Sequence, residues 1–171
     1  MKATVYWIES NWRGKLAIIP RPRGGDWLED EVAAWKEVGL DVIVSLLEAD
    51  EAADLDLQRE GELSQAAGLE FISFPIVDRN IPASHVDTLV LLHRLTRLLA
   101  GGKNIGVHCR QGIGRSALIA SSLLGLSGLP WELAFHRVGA ARGCVVPETS
   151  EQREWVIALG KEAAGLAAKA N

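Results

Sequence analysis

The segment most capable of chemistry is a short loop in which an arginine follows a cysteine by six positions. Residues 108–116 read His-Cys-Arg-Gln-Gly-Ile-Gly-Arg-Ser, between a short apolar run and a helical pattern. Gly112 and Gly114 permit the tight turns that let successive backbone N–H groups converge on one anion. Arg115 adds a planar fork that suits two oxygens of the same phosphate. The loop therefore predicts a phosphate-binding site that also holds a thiol.

Cys109 is the predicted nucleophile of this loop. The amides, the helix N-terminus and Arg115 together create a positive field, which favours the reactive thiolate. We expect Ser116 to donate a hydrogen bond to the sulfur and His108 to brace the loop by hydrogen bonds. The alternative for Cys109 is a small buried core residue, which is the usual fate of cysteine. The predicted phosphate-binding positions besides Arg115 are Arg110, Gln111, Gly112, Ile113 and Gly114.

The motif His-Cys-x5-Arg-Ser at 108–116 resembles the signature of the cysteine-based protein tyrosine phosphatases, and it is most similar to the compact dual-specificity branch. Residues 75–82, Pro-Ile-Val-Asp-Arg-Asn-Ile-Pro, look like the loop that carries the general acid in that branch. Residues 146–152, Val-Pro-Glu-Thr-Ser-Glu-Gln, look like the late segment whose glutamine orients the hydrolytic water. The resemblance spans about residues 40–160, and residues 19–28 are similar to small microbial members.

This resemblance implies a two-step hydrolysis of a phosphomonoester that needs no metal and no cofactor. Cys109 attacks phosphorus to form a cysteinyl phosphate, while Arg115 and the loop amides stabilise the equatorial oxygens. Asp78, for which the alternative is a turn-stabilising residue, protonates the leaving oxygen and later deprotonates the attacking water. Gln152 either positions that water or caps a helix, because Thr149 and Gln152 also have the spacing of a capping box.

Three functions are compatible with these residues. The first is a protein tyrosine or dual-specificity phosphatase with a shallow pocket, because no segment resembles the recognition loop that deepens the pocket of tyrosine-specific enzymes. The second is the same chemistry on an inositol phosphate, a phospholipid headgroup or an RNA 5′-phosphate, although the loop lacks the extra lysines expected for highly phosphorylated inositols. The third is a catalytically inactive phosphate-binding module, which predicts a missing nucleophile, arginine or acid. We expect a phosphorylated protein or another phosphomonoester as the substrate.

Composition and charge exclude several other classes of protein. The chain has 171 residues, of which 48% are hydrophobic and 23% charged, which fits a single domain over residues 1–171 with a frayed tail from residue 162. The net charge of −4 argues against a stable nucleic-acid partner, and the short apolar runs argue against membrane insertion. Without a signal-peptide pattern, we expect a cytoplasmic monomer.

Two other features each allow two interpretations. Cys144 is either a redox partner that forms a disulfide with Cys109 or a buried strand or loop residue. Residues 12–25 contain four basic and no acidic side chains, and they form either a basic rim that attracts an anionic substrate or a solvated loop. The acidic run over residues 48–62 is interpreted as an exposed helix face.

The surrounding patterns predict the elements that position the loop. Short apolar runs predict strands over residues 4–8, 16–19, 41–46, 69–74 and 104–107. Helical periodicity covers residues 26–38, 50–67, 84–100, 116–126, 130–141 and 149–167, and the first of these helices begins with a capping box at Asp26. Because strands and helices alternate, we predict an α/β fold with a central, mostly parallel sheet of about five strands, flanked by helices on both faces.

Overall fold

The computed structural model describes residues 2–170, and at its centre lies a five-stranded sheet. The strands are β1 (Tyr6–Ile8), β2 (Leu16–Ile18), β3 (Val42–Ser45), β4 (Glu70–Ser73) and β5 (Ile105–His108). They lie in the order β1-β2-β5-β3-β4, with β1 antiparallel to β2 and all other neighbours parallel. The predicted strands and the mostly parallel sheet are therefore confirmed.

Helices cover both faces of this sheet. Within residues 2–170 they are α1 (Leu28–Glu37), α2 (Ala49–Asp54), α3 (Glu60–Ala66), α4 (His85–Ala100), α5 (Arg115–Leu126), α6 (Trp131–Arg142) and α7 (Ser150–Lys169). Helices α4 to α7 enclose the larger apolar core, and α1 and α3 enclose the smaller one on the opposite face. The expected tail from residue 162 lies in the last turns of α7. No helix in the described part of the chain is both long and apolar enough to span a membrane.

The central strands β3 and β5 are buried along their whole length, and apart from Ser45 and His108 at their ends they contain only apolar residues. Along β3, Val42 and Val44 contribute to the larger core and Ile43 to the smaller one, as the alternation of side chains along a strand requires. On β5, a Cβ added to Gly106 would lie 3.0 Å from Cδ1 of Ile19. Glycine at this position lets the smaller core pack closely against the strand that leads into the loop of residues 109–114.

Two helix predictions are wrong in detail. The single helix expected over residues 50–67 is two helices, α2 and α3, with Asp56 between them in the left-handed conformation at φ 54°. Aspartate tolerates this conformation better than most residues, so the chain can turn there. The expected capping box at Asp26 is absent, because a 3₁₀ turn over Gly25–Trp27 precedes α1 and no side chain caps the helix.

The helical spacing of apolar residues over 84–100 predicts a buried face of α4 that includes Val86 and Val90. In the structure these two residues are 69% and 64% exposed, so this prediction is wrong and the buried face is narrower. The helix begins as predicted at the cap Ser84, whose hydroxyl accepts a hydrogen bond from the backbone N–H of Asp87. The buried residues of α4 are Thr88, Leu91, Leu92, Leu95 and Leu99.

The carboxyl ends of the parallel strands bring the chemistry-bearing segments together at one edge. Ser45 at the end of β3 is in register with His108 at the end of β5, and the N–H of Leu46 donates to the carbonyl of His108 at 3.0 Å. Helix α5 begins at Arg115, directly after the loop of residues 109–114. The loop thus connects a buried strand to a helix N-terminus, as predicted.

Candidate active site

The loop of residues 109–114 curls around the sulfur of Cys109. The backbone N–H of Gly112 donates to Sγ at 3.2 Å, and Cys109 itself is only 3% exposed. Gly112 has φ 71°, a conformation that glycine adopts without steric cost. A Cβ at this position would lie 3.1 Å from Cγ2 of Ile18. The turn therefore favours glycine at position 112, and it directs a backbone donor at the sulfur.

Arg115 is buried at the first position of α5 and is held by several acceptors. Its Nη1 and Nη2 lie 2.6 and 2.9 Å from the two carboxylate oxygens of Glu51. Nη1 also donates to the carbonyls of Leu46 at 3.3 Å and Ile76 at 2.9 Å. Nε is buried without a hydrogen-bond partner among residues 2–170. Because unpaired buried donors are rare, this N–H is a candidate donor to an oxygen of a bound anion.

The charges of Arg115 and Glu51 stabilise each other. Burial by itself would lower the pKa of Arg115, but the hydrogen bond to Glu51 and the charges of Cys109, Glu51 and Asp78 raise it. Burial by itself would raise the pKa of Glu51. Hydrogen bonds from Arg115 and from the backbone of Glu48, with the charges of Arg115 and Arg110, outweigh burial and hold this pKa below the ordinary value of 4.5. The guanidinium of Arg115 is therefore positively charged at neutral pH.

Asp78, the predicted acid, lies beside the same guanidinium. Its Oδ1 is 3.0 Å from Nη2 of Arg115, and it also accepts a hydrogen bond from the backbone N–H of Arg79 at 3.0 Å. The side chain of Asp78 is about half exposed. Asp78, Cys109 and Arg115 line one small cavity of about 100 Å³, together with Arg79, Gln111, Gly114 and Glu148. The structure thus brings the predicted nucleophile, anion-binding arginine and acid together.

The two residues that flank this motif, His108 and Ser116, are completely buried. The hydroxyl of Ser116 has no hydrogen-bond partner within the described chain. The ring of His108 is directed to α3, where its Nε2 lies 2.6 Å from Oε1 of Glu60. Its Nδ1 has no partner among residues 2–170. The hydrogen bond that the ring forms is therefore to α3 rather than to the loop.

Gln152 forms the predicted capping box and also contacts the segment that carries Asp78. Its Oε1 accepts from the N–H of Thr149, and its own N–H donates to Oγ1 of Thr149, both at 3.2 Å. Its Nε2 donates to the carbonyl of Asn80 at 3.0 Å. A Cβ added to Gly114 would lie 3.1 to 3.2 Å from the terminal atoms of Gln152. Gln152 therefore caps α7 and at the same time packs against the loop of residues 109–114.

Two acidic residues behind the site are not predicted from the sequence. Glu51 and Glu60 belong to the acidic run over residues 48–62, and its interpretation as an exposed helix face is wrong for both. Glu51 binds Arg115, and Glu60 is 2% exposed beside His108. The sequence signal that points to Glu51 is its position shortly after a predicted central strand, because the ends of parallel strands meet at one edge.

Arg142 is a further residue of the site that is not predicted from the sequence. Its Nε donates to the carbonyl of Gly112 at 2.9 Å, and its Nη2 donates to the carbonyl of Gln111 at 3.2 Å. The guanidinium also lies 4.3 Å from the ring centroid of Tyr6. Arg142 therefore holds the loop through the carbonyls of Gln111 and Gly112, while the N–H of Gly112 donates to the sulfur.

The other candidates lie away from this cavity. Cys144 is a free, exposed cysteine, so the prediction of a buried residue is wrong, and no disulfide joins it to Cys109. In the described part of the chain, the lining of the cavity includes none of residues 12–25. Residues 2–170 also contain no group of three or more His, Cys, Asp or Glu side chains arranged to hold a metal ion.

Comparison with known proteins identifies relatives of the chain. A family model described as a DSP-PTPase phosphatase of polymorphic toxin systems matches residues 19–128. Human dual specificity protein phosphatase 22 is 29% identical over 91 residues, which cover 51% of this chain and 48% of that protein. The chain spans 22% and 48% of the length of the curated relatives that it matches, which is less than half of each.

Solved structures share the fold over almost the whole chain. Kinase associated phosphatase, with its catalytic site cysteine substituted by serine, aligns with a TM-score of 0.85 and 19% identity over 96% of this chain and 97% of that one. Tk-PTP in its active form aligns with a TM-score of 0.76 and 26% identity over 94% of this chain and 99% of that one. The predicted resemblance to the cysteine-based protein tyrosine phosphatases is therefore confirmed.

Proposed function

Because the chain belongs to the DSP-PTPase phosphatase family of polymorphic toxin systems, we propose that it is a phosphomonoester hydrolase with Cys109 as its nucleophile. The observation that carries the proposal is the cavity of about 100 Å³ that Cys109, Arg115 and Asp78 line together. Most ligand sites are several times larger. A space of this size, with a thiol at one wall and a guanidinium at another, suits a phosphoryl group alone, with the remainder of the substrate outside.

In the first step, the thiolate of Cys109 attacks phosphorus as the bond from phosphorus to the leaving oxygen breaks. The leaving oxygen takes a proton from the carboxyl group of Asp78, which becomes a carboxylate. The N–H groups of the loop stabilise the equatorial oxygens together with Nε of Arg115, which has no partner in the described part of the chain. The products of this step are the free alcohol or phenol and a cysteinyl phosphate.

In the second step, a water molecule attacks the cysteinyl phosphate and gives a proton to the carboxylate of Asp78. The bond between sulfur and phosphorus breaks, inorganic phosphate leaves, and the thiolate of Cys109 is regenerated. Gln152 is suited to orient this water because its side chain packs against Gly114. Ser116 has a buried hydroxyl with no other partner among residues 2–170, which suits donation to the departing sulfur.

The proposed substrate is a phosphorylated side chain of a protein, with both aryl and alkyl phosphates accepted. The acid Asp78 is about half exposed, so the site is shallow and does not require a flat aromatic ring to reach the sulfur. The relatives described as a dual specificity protein phosphatase and a kinase associated phosphatase support this class of substrate. An inositol phosphate, a phospholipid headgroup or an RNA 5′-phosphate is the alternative that a substrate panel tests.

The test is hydrolysis of an aryl phosphate with a metal chelator present. Wild-type protein should release phosphate, Cys109→Ser should not, and the exposed-cysteine variant Cys144→Ser should match wild type. Full activity of Cys109→Ser would refute the proposal. The same variant, used as a trap for phosphopeptides, inositol phosphates, lipids and RNA ends, should retain phosphopeptides; selective retention of another class would overturn the proposed substrate.

A further inference from the structure

Two contacts connect the segment that carries Asp78 to the segment that begins α7. The guanidinium of Arg79 forms an ion pair with the carboxylate of Glu148. One residue further along the chain, the carbonyl of Asn80 accepts a hydrogen bond from Nε2 of Gln152 at 3.0 Å. The contacts join residues 69 and 72 positions apart in the sequence, so they fix the position of one loop relative to another.

The backbone of Arg79 is adapted to this arrangement. Arg79 has φ 61°, a left-handed conformation that is uncommon for a residue other than glycine. Such a conformation persists when surrounding contacts determine it. Here the N–H of Arg79 donates to Oδ1 of Asp78, while its side chain pairs with Glu148. The same turn therefore sets both the carboxyl group of Asp78 and the ion pair.

Glu148 connects this ion pair to the loop of residues 109–114. A Cβ added to Gly114 would lie 3.0 Å from Oε2 of Glu148, so the carboxylate packs directly over the loop backbone. Arg79 and Glu148 both line the cavity that Cys109 and Asp78 share. The ion pair thus lies at the edge of the cavity and connects the segment that carries Asp78 to the segment that begins α7.

We propose that Arg79 and Glu148 are positioning residues that hold Asp78 over the cavity, ready to protonate the leaving oxygen. This inference rests on the proposed function and assigns a role in it that acts through Asp78. The pair matters most for alkyl phosphates, because a poor leaving group needs the proton in the transition state, whereas an activated aryl leaving group does not. The ion pair is therefore a determinant of activity toward alkyl phosphates.

The test is a double-mutant cycle with Arg79→Gln, Glu148→Gln and the combined variant. With an alkyl phosphate, each single variant should lower kcat about threefold, which is the scale of a partly exposed ion pair, and the combined variant should lower it no further. With an activated aryl phosphate, all three variants should stay within about twofold of wild type. Losses that multiply in the combined variant, or equal losses on both substrates, would overturn the inference.

The same cycle separates positioning from direct binding of the substrate by Arg79. If Arg79 bound the substrate, Arg79→Gln would raise KM while Glu148→Gln, which releases the guanidinium, would lower it. A positioning role predicts that the two variants change kcat in the same direction and leave KM unchanged. Opposite changes in KM would therefore contradict the inference.

A measurement without substrate keeps this inference separate from the proposed function. Amide hydrogen exchange over residues 76–82 should become faster in both single variants, because the loop loses a contact that restrains it. The ion pair between Lys103 and Asp41 joins segments that precede β5 and β3, at the end of the sheet away from the cavity, so Lys103→Gln is the matched control and should leave that exchange unchanged. Unchanged exchange in Arg79→Gln would overturn the positioning role, even in a protein without phosphatase activity.

Discussion

The carboxylate of Glu51 and the guanidinium of Arg115 form a bidentate ion pair, with N···O distances of 2.6 and 2.9 Å. Glu51 lies on α2 shortly after β3, and Arg115 begins α5 after β5. The carboxylate of Glu51 also accepts a hydrogen bond from the backbone N–H of Glu48, which fixes its own position. Bidentate contact with a fixed carboxylate sets the plane of the guanidinium and leaves Nε as a donor without a partner among the residues that the structure describes.

This geometry predicts that Glu51→Gln impairs catalysis through Arg115, although Glu51 itself does not contact the substrate. A glutamine accepts only one of the two hydrogen bonds, so the guanidinium loses its fixed plane. We expect kcat/KM for an aryl phosphate to fall about tenfold to a hundredfold, as for other losses of precise orientation. Glu62→Gln is the control, because Glu62 forms an exposed pair with Arg59, and it should leave kcat/KM unchanged. Wild-type kcat/KM in Glu51→Gln would contradict the role of this pair.

The lowered pKa of Glu51 predicts how stability depends on pH. Its pKa in the folded protein lies below the ordinary value of 4.5, so the folded state favours the carboxylate. This contribution to stability is present above pH 4.5 and is lost as the pH falls through the folded pKa. Between about pH 5 and pH 3, the free energy of unfolding in urea should therefore fall less for Glu51→Gln than for wild type, because the variant lacks this carboxylate. A parallel pH dependence for the two proteins would contradict this linkage.

The buried pair of His108 and Glu60 predicts a cost in stability. In Glu60→Ala the ring Nε2 of His108 loses its hydrogen-bond partner while remaining buried. An unsatisfied buried polar group typically costs about 1–3 kcal/mol, so the free energy of unfolding in urea should fall by about that amount. Glu62→Ala, on the exposed side of the same helix, should change it by less than about 0.5 kcal/mol. Equal effects of the two substitutions would show that the buried pair adds nothing.

Replacing glycine by alanine should lower activity at Gly112 in the loop and raise stability at Gly125 in α5. Gly112→Ala places a Cβ 3.1 Å from Ile18 at φ 71°, so the loop must shift and kcat/KM for an aryl phosphate should fall at least about tenfold. In Gly125→Ala the added Cβ would have no contact within 4 Å beyond its own stretch of helix, so the substitution should raise the free energy of unfolding by about 0.5–1 kcal/mol. Activity of Gly112→Ala at the wild-type level would contradict the requirement for this turn.

The parts of the site that the sequence predicts are those held within one continuous segment. Cys109 and Arg115 belong to a single loop between a strand and a helix, so their spacing alone contains the geometry. The strand and helix patterns also predict the sheet, because each element buries its own apolar residues. Asp78 is predicted from a second short segment, residues 75–82, because this segment resembles the general-acid loop of the family and lies before the loop of residues 109–114.

The residues that the sequence does not reveal are those whose roles depend on distant partners. Glu51 binds a residue 64 positions away and Glu60 one that is 48 positions away, so within their own segment both look like ordinary surface acids. The break between α2 and α3 also places Glu51 and Glu60 on two different helices, which the pattern of a single helix does not indicate. The role of Arg142 also depends on distant partners. These partners are backbone carbonyl groups, which every residue has, so no residue type in the sequence indicates them.

The most direct test of the central claim is to look for the phosphoryl group on Cys109 during turnover. Wild-type protein is mixed rapidly with an aryl phosphate, quenched in acid and digested, and the peptide that contains Cys109 is examined by mass spectrometry. The account predicts that a fraction of this peptide carries one added phosphoryl group on the sulfur of Cys109, and that Cys144 carries none. Turnover with no phosphorylated Cys109, or with the phosphoryl group on another residue, would contradict it.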